Sequence, residues 1–232
     1  MLNYDKTYIL QFLTKNDHEI NMQVSSGNRK TATIQSLKFL VLTIDTSLTW
    51  KHHIGELTSR VNKVCYVIRS LKLFMSLDVL RSTYFLYVYS IISFGIIFWG
   101  NSSYSEDIFK IQKRIIRIIM NSSKNASCWQ LFKLDILPIQ SQYYILNTLF
   151  VTKYKDQFLF NSQVHKINRR QTSNLYLLSA NLAIYQNGVY YSGIKIYNHL
   201  PTAIKDLSGD KNKFKLALKR YSFCSLEEYF NT

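Results

Sequence analysis

Carboxylates are scarce in this 232-residue sequence, which has 14 Asp and Glu against 29 Lys and Arg and a formal net charge of +15. A chain so unbalanced, and 47% hydrophobic, needs an anionic partner or a solvated basic shell around its apolar core. Nucleic acid is the first candidate partner. The excess is uneven: residues 1–100 carry 11 basic and 6 acidic side chains, residues 101–232 carry 18 and 8. Adjacent carboxylates occur only as Glu106-Asp107 and Glu227-Glu228. Each pair stands at a predicted helix start, where negative charge complements the free backbone N–H groups.

Cysteine is equally sparse. Cys65, Cys128 and Cys224 are far apart and odd in number, which excludes a disulfide framework and fits free thiols in a reducing, intracellular compartment, cytoplasm or nucleus. No pair has zinc spacing, and His52-His53 lack further ligands at metal spacing, so neither a metal site nor another cofactor is expected. Gly/Ser linkers, repeats and low-complexity tracts are missing. The opening MLNYDKTYIL lacks the basic start, apolar centre and cleavage site of a secretory leader. Charge is missing between Arg81 and Glu106, and TYFLYVYSIISFGIIFWG is long enough to span a bilayer. Six hydroxyl side chains and two glycines dilute its apolarity, so a buried helix is expected, with a small membrane-associated helical protein as the competing reading.

What is present sorts into an α+β chain that is mostly α. The segments YILQFL, INMQV, TATIQ and LKFLVLTID, with a turn signal at Ser25-Ser26-Gly27-Asn28, predict a small N-terminal sheet over residues 1–50. The period then changes. Ile54, Leu57, Val61, Val64, Ile68 and Leu71 form the seam of an amphipathic helix. A second helix is predicted from Asp78 to Trp99, apolar nearly all round and closed by a C-cap signal at Gly100-Asn101. A third is opened by Ser103 and Glu106 at capping-box spacing. These helices make a bundle over residues 51–122. Residues 123–232 are predicted as a helical C-terminal region. It has a helix led by Pro138, a polar connector over residues 161–174, short helices at 194–199 and 213–221, and a last one opened by Ser225 and Glu228.

The third helix carries the most specific pattern, with Ile108, Ile111, Ile115 and Ile118 on one face and Lys110, Lys113, Arg114 and Arg117 on the other. Four cations at i, i+3, i+4 and i+7 match the repeat of a phosphate backbone and form the candidate nucleic-acid contact. A merely solvated helix face has the same pattern. The 17 tyrosines and 14 phenylalanines read mainly as core.

Taken in order, LNYDKTYILQF, FLVLTID, SLTWKHHI, LRSTYFLYVYSIISFGIIFWGNSS, FKIQKRIIRII and YYSGIKIYNHLP resemble the C-terminal part of a jockey-type non-LTR retrotransposon reverse transcriptase. The resemblance implies the end of a palm, a helical thumb and the region beyond it, with an RNA or RNA–DNA duplex as partner. It also implies that Lys6 lies near a nucleotide and that Phe39 and Leu40 belong to a primer grip. From the residues alone, Phe39 and Leu40 read as core strand positions. The family's second block usually reads FLG; here Val41 stands for the glycine, and a tight backbone there would be strained. Arg170, in HKINRRQTSNL, matches an arginine of the family's connector. The family uses magnesium held by clustered carboxylates, which precede the lysine block and are absent here. The expectation is therefore a reverse transcriptase fragment, not itself an enzyme, that retains nucleic-acid binding; an inert relic is the alternative.

Overall fold

The computed structural model describes residues 7–14, 25–26, 29–126, 136–164 and 174–230. Among the described residues the N-terminal region has six short strands: β1 (Tyr8–Leu10), β2 (Ser25–Ser26), β3 (Arg29–Lys30), β4 (Ala32–Ile34), β5 (Ser36–Phe39) and β6 (Leu42–Asp45). They form three two-stranded sheets, with β1 parallel to β4 and the pairs β2–β3 and β5–β6 antiparallel. The mostly α, α+β architecture with a small N-terminal sheet is as the sequence predicts.

In the β5–β6 hairpin Phe39 pairs with Leu42, which leaves Leu40 and Val41 as a two-residue loop. Both have positive φ, 45° and 73°, as a type I′ turn requires and as a β-branched residue adopts only under strain. The expectation that Phe39 and Leu40 are core residues is corrected: they are 57% and 70% exposed, because the strand ends at the tip. Val41→Gly should relieve the left-handed conformation and raise stability by about 1 kcal/mol. An unchanged or lower urea midpoint would contradict this.

After β6 the chain turns through Leu48 and Trp50, both at positive φ, into α1 (Lys51–Leu71). The Asp45 carboxylate holds this turn, accepting from Ser47 Oγ, Thr49 Oγ and the backbone N–H groups of Thr49 and Trp50 at 2.7–3.0 Å. Burial alone would raise its pKa, but these bonds outweigh that and hold it below the usual carboxylate value. The α1 seam follows the sequence, with Ile54, Leu57, Val61 and Ile68 buried.

The predicted second helix is not continuous. It consists of α2 (Leu77–Thr83), a π-helical stretch (Tyr84–Tyr89), α3 (Ser90–Ser93) and α4 (Ile96–Trp99), broken at Gly95 with φ 62°. Leu80, Tyr84, Val88, Ile92 and Ile96 are buried. A spacing of four drifts around an α-helix of roughly 3.6 residues per turn, and the wider π-turns keep these residues on one side. Nor is the segment buried all round, since Leu86 and Tyr87 are exposed. Gly100 is not a left-handed cap either, for its φ is −64°. It is needed for close approach: a Cβ there would lie 2.6 Å from both the Ile96 carbonyl oxygen and Tyr143 Cδ2.

The chain continues as α5 (Ser105–Ile119), α6 (Ile139–Lys153), α7 (Asn161–Val164), α8 (Ala183–Gln186), α9 (Val189–His199), α10 (Thr202–Lys205) and α11 (Lys211–Phe230). The expected Ser103 capping box is absent, and α5 starts at Ser105 with no side-chain cap, because a run of backbone turns leads into it. Ser225 opens no new helix; it lies inside α11, where a capping pattern has no free N–H groups to satisfy. One core cluster joins β6, α1, the 80–99 segment, α5 and the start of α6; the second joins α6, Leu175, α9 and α11. Thus α6 contributes to both.

Candidate nucleic-acid interface

Helices α1 and α5 run side by side in the same direction. At their starts Ser102 Oγ donates to the Thr49 carbonyl at 2.8 Å and Lys51 Nζ lies 5.9 Å from the Tyr104 ring centre. At their ends Lys72 Nζ donates to Asn121 Oδ1 at 2.6 Å. Two helix C-termini therefore lie together, and their aligned carbonyls favour cations. The sequence supplies them as Arg69 and the cap residue Lys72 at the end of α1 and Arg117 at the end of α5, with Arg114 about one turn earlier. Midway along the pair, burial pushes the Cys65 thiol pKa up while the charges of Arg69 and Arg114 oppose the shift. Neither arginine forms an ion pair among the described residues. The carboxylates of this pair, Glu56, Glu106 and Asp107, lie toward the helix starts.

The four cations predicted as one face do lie opposite the buried Ile108, Ile111 and Ile115, but they are not equivalent. Lys110 is paired with Asp107 at 2.9 Å, and that hydrogen bond and charge raise its pKa. Lys113 lies 4.5 Å from the Phe109 ring centre. Arg117 donates through Nε to the Ala126 carbonyl at 3.0 Å, which fixes its side chain without neutralising it. Arg114 is exposed. The apolar face also differs from the predicted line, since Ile116 and Ile119 are buried while Ile118 is only partly so. The sequence alone does not link Arg69 and Lys72 to Arg114, because side-by-side packing of two helices has no sequence signal.

Lys6 and Arg170 lie outside the described residues. Among the described residues no group of three or more His, Cys, Asp or Glu side chains is placed to hold a metal ion. His53 is a structural residue: it is 2% exposed, its Nδ1 accepts the Thr43 N–H at 3.3 Å, and its ring meets Trp50 and Trp99 edge-on. Burial lowers its pKa below the ordinary 6.5. Its contribution is therefore full above that value and is lost as pH falls through it toward the folded-state pKa, because the unfolded chain then binds the extra proton. The urea midpoint should fall between about pH 7.5 and 5.5, and His53→Asn, which keeps an acceptor but does not titrate, should remove most of that fall. An equal fall in both proteins would contradict the assignment.

Among the described residues no helix is long and apolar enough to cross a membrane. Comparison with protein-family models, curated proteins and solved structures finds no match to the chain.

Proposed function

We propose that this chain is the C-terminal part of a jockey-type non-LTR retrotransposon reverse transcriptase, acting as a nucleic-acid-binding module without polymerase activity of its own. The placement of Arg69, Lys72, Arg114 and Arg117 in the C-terminal halves of two helices that lie side by side in the same direction, with the carboxylates of those helices toward their starts, is the observation that carries the binding reading. Phosphate recognition needs several cations at one place, and a duplex backbone supplies a matching density of charge. Two of the side chains are already held, Lys72 by Asn121 and Arg117 by the Ala126 carbonyl, which lowers the ordering cost of contact. Phosphate contacts position a protein without reading bases, so affinity should not depend on sequence.

The blocks that carry the resemblance do distinct work in the fold. Asp45 of FLVLTID braces the turn into α1, and His53 of SLTWKHHI packs between Trp50 and Trp99. In FGIIFWGNSS, Gly95 packs against Leu42 and Gly100 against Tyr143. Polymerase chemistry requires clustered carboxylates to hold two divalent cations, and the adjacent carboxylates of this sequence are only Glu106-Asp107 and Glu227-Glu228, each at a predicted helix start. With primer, template, nucleotides and magnesium or manganese the protein should bind an RNA–DNA hybrid yet extend nothing. Incorporation above a no-protein control would overturn the non-enzymatic part of the reading, and absence of hybrid binding the other part.

A further inference from the structure

An open cleft of about 1070 Å³ lies between the β5–β6 hairpin, the Phe94–Phe98 segment, the end of α6 and the start of α11. Small-molecule pockets hold about 300–1,000 Å³, so this one is large and open enough for a short stretch of polymer. Its lining is apolar, aliphatic and aromatic together, and three of its rings are open: Phe39, Phe94 and Phe98 are 57%, 49% and 46% exposed. Trp50 already stacks on Phe98, with ring centres 6.5 Å apart and planes at 29°. Its charge has a single sign. Lys153, Lys211 and Lys215 line it, and among the described residues no carboxylate does. Lys211 and Lys215 sit four apart on α11, roughly one phosphate step along the helix.

Flat exposed rings beside a row of cations are what a single-stranded nucleic acid requires, because every base has a face to stack and every linkage a charge to neutralise. A duplex has no free base faces to offer. We propose that this cleft binds a single-stranded segment of a few nucleotides, with bases on Phe39, Phe94 and Phe98 and phosphates along Lys153, Lys211 and Lys215. The site goes beyond the duplex contact at the α1–α5 end and shares no residue with it, so either can fail without the other.

The test is binding of a labelled oligothymidylate of about eight nucleotides to the full chain, followed by anisotropy and by quenching of Trp50. Oligothymidylate should quench the fluorescence, and Trp50→Phe should abolish the quench. Phe39→Ala with Phe94→Ala removes two exposed rings and should weaken binding at least about tenfold. Lys153→Gln, Lys211→Gln and Lys215→Gln together should flatten the logarithmic salt slope by about 2. Circular dichroism of each variant should match the parent. Binding that ignores both sets of substitutions overturns the proposal, as does binding lost on removing Arg69 and Arg114 instead. Quenching by oleate but not by oligothymidylate would assign the cleft to an anionic amphiphile and equally overturn it. Loss of duplex binding alone, with these cleft effects intact, would sink the duplex reading and leave the single-strand site standing.

Discussion

Gln112→Leu is expected to lower folding stability by about 2–4 kcal/mol, more than any surface change in the molecule. Gln112 lies in the middle of α5 and is fully buried. Its Nε2 donates to Tyr84 Oη at 2.8 Å and to the Leu137 carbonyl at 2.9 Å, while its Oε1 accepts the Ile139 N–H at 3.1 Å. Ile139 opens α6, so its N–H has no partner within the helix. One side chain thus ties the π-helical stretch, α5 and the start of α6 together. Leucine fills a similar volume but leaves that N–H unsatisfied and takes away one of the partners of the Tyr84 hydroxyl in a dry interior, where an unmade bond costs about 1–3 kcal/mol. The Leu137 carbonyl keeps the bond from Gln142 Nε2, which limits the loss. Urea denaturation measures it; a change below about 1 kcal/mol would mean that water or a rearranged side chain replaces the amide.

Gln112 also marks the limit of what the sequence makes legible. FKIQKRIIRII reads as an apolar stripe against a basic one, and the glutamine within it is assigned no role. Its place four residues from the buried Ile108 and Ile116 puts it on the apolar face, but its partners Tyr84, Leu137 and Ile139 are distant in the chain, so no local period reports its bonding. The helices α1 and α5 are legible for the opposite reason. Their buried residues recur at three and four, as one-sided packing of a single helix demands. The 80–99 segment misleads because apolarity all round predicts a central helix, whereas Gly95 and the π-turns let one side pack and leave Leu86 and Tyr87 exposed. At the hairpin tip a β-branched residue argued for strand, but a two-residue connection forces positive φ on both Leu40 and Val41 whatever their preference. The candidate interface was half legible: the row on α5 could be read, but not its junction with Arg69 and Lys72, which arises only when two helices lie side by side.

That junction sets the second large effect. Lys110 is already neutralised by Asp107, so the phosphate contacts should come from Arg69, Lys72, Arg114 and Arg117. Each phosphate neutralised contributes about 0.9 to the slope of log affinity against log salt on a duplex. Four contacts therefore contribute about 3 to 4, and removing them should weaken binding by one to several orders of magnitude at low salt. Lys110→Gln with Lys113→Gln should change the slope by less than half as much. The decisive measurement is the affinity of parent and quadruple glutamine variant for one RNA–DNA hybrid, titrated across about 50 to 200 mM salt. A slope shallower by about 3 to 4 in the variant, with unchanged helicity, is the expected result. An unchanged slope and unchanged affinity would contradict the proposed interface and leave these four cations as compensation for two helix C-termini.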